Sequence, residues 1–385
     1  MLPLFRRRRA PVPRMVSGND VTLLHDGEQC FPAMLQAIAA ATDEILLEMY
    51  WFHSDTIGTV FAEALSEKAR EGVAVEIVYD AVGSWEASGD MFASMRAAGC
   101  EVYEFNPIAP WRKRFNIGVV NRRDHRKLLV VDGRVLFVGG VNIGDPWAPV
   151  SQGGQGWRDD MIRVEGPAAR QGRAVFFETL LTLGQSVPTT DPGHGIPGDG
   201  TSGDSHVRVL ANLFRGDRLV IRREYIRQIE AARSHVCISN SYFVPDREVR
   251  SALARATRRG VRVRVLLPGE SDLVAVYHAS RRLYAWLMRN GIELWEWQRA
   301  VLHTKSATID DRWCTVGTYN IDYRSWRFNL EVNVAVEDAG VSQAMRQRFE
   351  QDLGSSVPVD RHNWRFRPLS DRLVESFFYL FRKLL

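Results

Sequence analysis

The sequence predicts an α/β protein made of two tandem α/β/α units related by a pseudo-twofold, with an active site at their interface. Three observations predict it. Apolar strand-like runs alternate with alanine-rich helical runs, and that alternation occurs twice in the same order. The stretch HRKLLVVD at residues 125–132 also returns as HTKSATID at 303–310, with its His, Lys and Asp at the same spacing.

In the first half ILLEMYWF, from Ile45, reads as a strand and FAEALSEKAREG as the helix after it. A strand GVAVEIVYD from Gly72, a helix FASMRAAG and a strand CEVYEF from Cys100 follow. The second half repeats the series as VCISNSYF from Val236, VRSALARATRRG, GVRVRVLLP from Gly260, LYAWLMRNG and IELWEW from Ile292. Strands separated by helices call for a sheet covered on both faces. Between the halves, GQSVPTTDPGHGIPGDGTSGDS at 184–205 carries almost no apolar residue and reads as a flexible linker. The expected divisions are a basic tail at 1–17, units at 18–183 and 206–357 around the linker, and a C-terminal segment at 358–385.

The 385 residues, 45% of them hydrophobic, supply a core for each unit, and the formal charge of +4 suits an anionic partner without choosing one. Cys30, Cys100, Cys237 and Cys314 lie far apart with no C-x-x-C spacing, so buried reduced thiols are expected and a zinc site or disulfide framework is not. MLPLFRRRRAPVPR has the charges of a signal peptide but no apolar stretch behind them, so neither a signal nor an anchor is expected there. No apolar run approaches the roughly 20 residues of a membrane span, which predicts that the body stays in the cytoplasm.

Each H-x-K segment runs through an apolar strand to an acidic turn. Asp132-Gly133 is a strong hairpin signal and Asp310-Asp311 a weaker one. Residues two apart on a strand share a face, so His125 and Lys127 are expected to point together, as are His303 and Lys305. Asp132 and Asp310 fall on the opposite parity at the turn, where they would support the scaffold by pairing with a basic side chain. Gly139 and Asn142 stand 14 and 17 residues after His125, and Gly317 and Asn320 stand 14 and 17 after His303. Gly140 and Thr318 follow the two glycines. Farther on, Asp159 in WRDDMIRVEG and Glu331 in FNLEVNVAVE each enter a strand-like run, placed to hydrogen-bond the distal nitrogen of the histidine of their own half.

Two histidines, two lysines and two asparagines meeting across a pseudo-twofold form a cationic, donor-rich pocket suited to a phosphodiester. Lysines and asparagines would hold the non-bridging oxygens, one neutral imidazole would attack phosphorus, and the other, protonated, would serve the leaving alkoxide. No carboxylate or cysteine cluster points to a metal, and no cofactor is expected.

The pair HRKLLVVD...GGVN and HTKSATID...GTYN resembles the phospholipase D superfamily, and the chain from about Gly18 to Val357 is similar to bacterial cardiolipin synthases of the short type without N-terminal membrane spans. VTLLHDGEQCFPAML, VYDAVGS, NRRDHRK, WRDDMIRVEGP, SYFVP and YNIDYRSWRFNLEVN carry the similarity. The resemblance implies two phospholipase D-like domains, with His125, Lys127, Asp132, His303, Lys305 and Asp310 as the catalytic set and Asn142, Asn320, Asp159, Glu331, Gly140 and Thr318 as phosphate-binding or supporting residues. By the same resemblance His125 is the nucleophile and His303 the acid/base. It also implies transfer of a phosphatidyl group from phosphatidylglycerol to a second phospholipid, giving cardiolipin and glycerol. Thr318 and Ser241 depart from the Ser and Pro common in the family, and a change of acceptor preference is where Thr318 would tell.

SDRLVESFFYLFRKLL at the C-terminus places Leu373, Val374, Phe377, Phe378, Leu380, Phe381, Leu384 and Leu385 on one helical arc, capped by Asp371 or Ser370. An aromatic apolar face with basic flanks suits a bilayer interface, and one more core helix is the bland alternative. Arg6 to Arg9 and the basic stretch at 111–127 add to an expected anionic membrane partner and a peripheral place on the cytoplasmic face of the bacterial membrane. Nucleic acid is not an expected partner. The competing activities are phospholipid hydrolysis, a phosphodiesterase nuclease and a non-catalytic membrane scaffold.

Overall fold

The computed structural model describes residues 13–108, 121–187, 202–213 and 217–384. The arginines at 6–9, residues 111–120 of the basic stretch, most of the linker and Leu385 lie outside the described residues. The first half runs β1 (Val16–His25), α1 (Asp26–Ala39), β2 (Glu44–Met49), α2 (Thr56–Arg70), β3 (Ala74–Asp80), α3 (Gly89–Ala97), β4 (Glu101–Phe105), β5 (Lys127–Val131), β6 (Val135–Gly139), β7 (Asp160–Glu165) and α4 (Ala169–Thr182). The second repeats it as β8 (Ser205–Asn212), α5 (Val220–Ala231), β9 (His235–Asn240), α6 (Arg247–Arg258), β10 (Arg262–Pro268), α7 (Val274–Arg289), β11 (Glu293–Trp297), β12 (Lys305–Ile309), β13 (Trp313–Gly317), α8 (Tyr323–Arg327), β14 (Glu331–Glu337) and α9 (Ala339–Leu353). A short β15 (Ser356–Pro358) and α10 (Leu369–Leu380) complete the described chain.

All the strands join one sheet in the order β15-β11-β10-β9-β12-β13-β14-β8-β1-β7-β6-β5-β2-β3-β4. Read outward from the central antiparallel pair β1–β8, the two sides have the same sequence of strands, with β15 added at one edge. The predicted duplication is thus a symmetry of the sheet. Alternation along the strands sets the layers: Leu129 and Val131 of β5 enter the core under α1 and α2, while Leu128 and Val130 face a core shared by both halves with Val332, Val334 and Val336 of β14. Each such side chain contributes roughly 1.5–3 kcal/mol by its burial, so the shared core holds the halves in one orientation and thereby holds the site.

Both acidic turns have the same geometry. Asp132 and Gly133 have φ of 51° and 59°, Asp310 and Asp311 φ of 56° and 49°, and a 3.0 or 3.2 Å hydrogen bond closes each turn. The Asp310-Asp311 turn is therefore as well formed as the stronger-looking signal, although neither of its residues is glycine. The partners correct the expected pairing with a basic side chain. Asp132 accepts from the backbone N–H groups of Thr42, Asp43 and Glu44, and Asp310 from those of Arg233, Ser234 and His235. These amides lead into and open β2 and β9, so a carboxylate at the neighbouring turn ties the hairpin to the next strand.

The C-terminal helix starts at Leu369, after Pro368, with no side-chain cap, so neither Ser370 nor Asp371 caps it. It docks on α7 by a mixed face, on which Glu375 is buried and Phe378 and Tyr379 pack against the core. Glu375 is 2% exposed and pairs with Arg367 and, at 3.8 Å, with Arg281, while Phe378 stacks on His278 at 5.7 Å. Leu369, Leu373, Phe377, Leu380 and Leu384 are each more than half exposed. The helix is both fastened to the body and left with an unpartnered apolar face. No helix of the described residues is long and apolar enough to cross a membrane. The four cysteines are buried and unpaired.

Candidate active site

A cavity of about 610 Å³ opens where the two halves meet, and both histidines of the repeated motif lie on its wall with Asn142 and Asn320. Each histidine stands just before its strand, in a parallel bridge to the other half. The His125 N–H donates to Leu330 O at 3.1 Å and the Leu330 N–H to Arg123 O at 2.9 Å; the His303 N–H donates to Arg158 O at 2.8 Å and the Arg158 N–H to Val301 O at 2.9 Å. Leu330 and Arg158 immediately precede Glu331 and Asp159, so each bridge delivers a carboxylate to the opposite histidine.

The pairing is accordingly crossed. Nδ1 of His303 lies 2.7 Å from Asp159 Oδ2, and Nδ1 of His125 lies 3.1 and 3.2 Å from the two oxygens of Glu331. This corrects the expectation that each acid serves its own half: the residues before the acids are drawn across the interface by backbone pairing that no local pattern encodes. With Nδ1 engaged by a carboxylate, Nε2 is the nitrogen left to each imidazole for chemistry.

Gly140 and Thr318 occupy equivalent places and explain why one acid is Asp and the other Glu. Thr318 donates to Glu331 Oε2 at 2.5 Å, and Asn329 Nδ2 donates to Oε1 at 3.1 Å. A Cβ at Gly140 would stand 2.0 Å from Asp159 Oδ1, so glycine is required for that carboxylate to sit where it does. Asp159 is held instead by Trp147 Nε1 at 3.0 Å and the Asp160 N–H at 2.9 Å. Thr318 is fully buried behind Glu331 and off the cavity wall, which removes it as a determinant of acceptor choice. Ser241, the other departure, donates to Asn320 Oδ1 at 2.9 Å, and the Trp51 N–H donates to Asn142 Oδ1 at 3.2 Å. Each anchored asparagine thus keeps its Nδ2 donors for a ligand.

The lysines depart from expectation. Lys127 and Lys305 are buried off the cavity wall, and each donates to the carbonyl oxygen of the histidine two residues before it, Lys127 at 2.8 Å. Lys305 Nζ also lies 2.9 Å from His303 Nδ1, so it does sit beside its histidine; what departs from expectation is that neither lysine reaches the wall to hold a phosphate. Burial pushes Lys127 down to about 7 and Lys305 to about 8. Burial, then the nearby Lys127 and Lys305, hold His125 well below the ordinary imidazole range. His303 is lowered by burial and Lys305, with Asp159 opposing. Glu331 is pushed up to about 7 by burial.

Asp132 and Asp310 sit at the far ends of their five-residue strands, roughly 3.3 Å per residue from the lysines, and off the cavity wall. Several wall residues escaped the sequence reading. Trp147 and Trp157 approach the His303 ring at 5.3 and 5.7 Å, Tyr50 approaches His125 at 4.9 Å, and Tyr242 donates to Asp272 at 2.6 Å. The tryptophans belong to a loop the second half lacks: Asp159 follows Asn142 by 17 residues, Glu331 follows Asn320 by 11. That difference was the available signal. Close to the site, His25 Nδ1 meets buried Asp160 at 2.9 Å, beside Arg158, which also binds Asp352.

A family model described as cardiolipin synthase, PLD-like domain, matches residues 34–148 and 225–353. A cardiolipin synthase of Geobacillus sp. (strain WCH70) is 33% identical over 374 residues, covering 95% of this chain and 72% of the relative. Cardiolipin synthase 1 of Bacillus anthracis is 32% identical over 370 residues, 94% of this chain and 72% of that one. Among solved structures, phosphatidylserine synthase of Haemophilus influenzae superposes with a TM-score of 0.72 over 95% of both chains at 13% identity. Polyphosphate kinase of Porphyromonas gingivalis superposes at 0.61 over 89% of this chain and 49% of that one, also at 13% identity. At that identity the two structures share the fold alone.

Proposed function

The chain belongs to the phospholipase D-like cardiolipin synthase family, whose members are phosphatidyltransferases, and from that premise we propose that His125 and His303 carry a two-step transfer from phosphatidylglycerol to the hydroxyl of a second phospholipid. One observation carries the reading: two imidazoles, one from each half, share a cavity, and each is fixed by a carboxylate of the other half.

In the first step the His125 Nε2 lone pair attacks phosphorus, the bond from phosphorus to the glycerol oxygen breaks, and His303 gives its Nε2 proton to that oxygen. Glycerol leaves and a phosphatidyl-histidine remains. In the second step His303 takes the proton of the acceptor hydroxyl, whose oxygen attacks phosphorus as the P–N bond breaks, releasing cardiolipin and restoring His125. The division of labour follows the electrostatics. His125, the more strongly depressed, is the better neutral nucleophile, and the carboxylate of Asp159 favours an imidazolium at His303, as does the charge of a bound phosphodiester. Asn142 and Asn320 supply amide donors to the non-bridging oxygens, while Lys127 and Lys305 act from behind the histidines as buried positive charge. Asp132 and Asp310 act on the scaffold. Trp147, Trp157 and Tyr50 keep water from the phosphorus, which favours an alcohol acceptor over hydrolysis.

The unpartnered face of α10 supports peripheral binding to an anionic bilayer on the cytoplasmic face of the bacterial membrane. The apolar residues Val82, Leu273, Val274 and Leu384 on the cavity wall continue that face into the site, so lipid would enter from the bilayer side. The test is to incubate the purified protein with labelled phosphatidylglycerol in mixed micelles, a chelator present because no step uses a metal, and identify products by mass spectrometry. Cardiolipin with free glycerol is expected, and His125→Ala and His303→Ala should each abolish it without changing the melting temperature. Phosphatidic acid alone would make the protein a hydrolase, and no product would sink the reading.

A further inference from the structure

Transfer between two phospholipids places two phosphates in one cavity. The acceptor carries its own phosphodiester three carbon atoms from the attacking hydroxyl, and the cations already described are committed elsewhere. Arg123 reaches Asp80 at 3.4 Å and the carbonyl of Asn106 at 2.9 Å, and both lysines lie behind the wall. Arg324 is different. It lines the cavity from α8, whose first turn is pinned by Asp322 accepting from the Ser325 N–H at 2.8 Å. Among the described residues no carboxylate forms an ion pair with it; its Nη1 donates to Asn121 Oδ1 at 3.0 Å and to Leu384 O at 3.5 Å. A half-buried guanidinium held only by neutral acceptors is a ready anion site.

Its surroundings match the groups of an acceptor lipid. Asn320, four residues earlier on the same connection, lines the cavity with both histidines. Leu384, on the other side of Arg324, begins the exposed apolar surface of the C-terminal helix. One wall thus carries donors for one phosphate, a guanidinium, and an apolar residue in contact with it, as the acceptor carries a hydroxyl, a phosphodiester and acyl chains. We propose that Arg324 binds the phosphodiester of the acceptor phospholipid and so selects a phospholipid over water or a simple alcohol as the acceptor. This rests on reading the cavity as the phosphatidyl-transfer site. Arg324 is a specificity residue here, acting after the phosphatidyl-histidine has formed.

The experiment gives the full-length protein phosphatidylglycerol micelles and ethanol together and measures cardiolipin against phosphatidylethanol in the same tube. Both products need the first step, but only cardiolipin needs an acceptor phosphate. Arg324→Ala should lower the ratio of cardiolipin to phosphatidylethanol at least tenfold and raise the KM for acceptor phosphatidylglycerol, and Arg324→Lys should recover part of the ratio. With glycerophosphoglycerol, which has the phosphate but no acyl chains, as the competing acceptor, Arg324→Ala should lose that transfer product too. Equal loss of all products would place Arg324 at the shared first step, or in folding, and overturn the inference. Loss confined to the acylated acceptor would assign the residue to the bilayer contact and overturn it as well. Failure of the unsubstituted protein to make either cardiolipin or phosphatidylethanol would instead be a failure of the transferase reading, and this inference would fall with it.

Discussion

Asp159→Asn should disable the second half of the reaction while leaving the first chemical event intact, because Asp159 serves His303 and not the histidine of its own half. In the substituted protein an amide oxygen that keeps the Asp160 N–H takes the Oδ1 position, which puts the amide NH2 at the Oδ2 position, against Trp147 Nε1 and facing His303 Nδ1. Nδ1 then accepts instead of donating, and the ring proton moves to Nε2, where a general base needs a lone pair. Loss of a charge-assisted hydrogen bond costs about 1.5–3 kcal/mol, or roughly 10- to 150-fold at about 1.4 kcal/mol per decade, and the wrong tautomer adds to it, so turnover should fall at least ~100-fold. The assay uses a phosphatidyl donor with p-nitrophenol as headgroup, which leaves without a proton. Rapid mixing should show a full burst of nitrophenolate followed by slow turnover, with the phosphatidyl group trapped on His125 and visible by mass spectrometry. Glu331→Gln should slow the burst itself. The reverse pattern, no burst in Asp159→Asn and a normal one in Glu331→Gln, would show that each acid serves its own half and refute the crossed arrangement.

Three more outcomes follow from the geometry. Gly140→Ala puts a Cβ 2.0 Å from Asp159 Oδ1 and should displace that carboxylate, so its kinetic defect should copy that of Asp159→Asn, and an unimpaired enzyme would show the contact to be unimportant. Leu373, Phe377 and Leu380 all face outward, and apolar burial is worth roughly 1.5–3 kcal/mol per side chain; changing all three to Ser should weaken sedimentation with anionic vesicles at least ~30-fold while sparing turnover of detergent-dispersed lipid, whereas equal loss in both would make the helix structural. Burial pushes Asp322 and Glu331 up to about 7 from ordinary values of 3.8 and 4.5, so the folded protein binds these protons more tightly than the unfolded chain. Their contribution is fully present at acid pH and is lost as pH rises through about 7. Glu331→Gln should flatten the fall of melting temperature over that window, and an unchanged slope would mean that the carboxyl titrates normally.

The duplication was legible because it is written in local patterns. A short apolar run that ends at a turn marks LLVV as a strand, the Asp132-Gly133 turn follows from a φ > 0 requirement, and equal spacing from His to Gly and Asn ties each histidine to its asparagine. Where a local rule was stretched it failed. Lys127 and Lys305 were expected to hold a phosphate; Lys305 Nζ does lie 2.9 Å from His303 Nδ1, yet the strands begin at the lysines and neither ammonium reaches the cavity wall. The amphipathic C-terminal segment was read correctly as a helix, but periodicity fixes only that two faces exist. Which one meets the body was decided by Arg281 and Arg367, whose charges draw Glu375 inward and turn Leu373 and Phe377 out.

What the sequence determined by itself, then, is the two α/β/α units, the two histidines and asparagines, and the membership that their motifs announce. These depend on interactions a few residues apart. Tertiary structure alone decided which carboxylate meets which histidine, that Gly140 makes room for one and Thr318 grips the other, and that Arg324 and the tryptophans reach the same cavity. Those contacts join residues such as His303 and Asp159, 144 positions apart, through bridges across a shared core. Their geometry depends on how two sheet halves pack, which no spacing along the chain records.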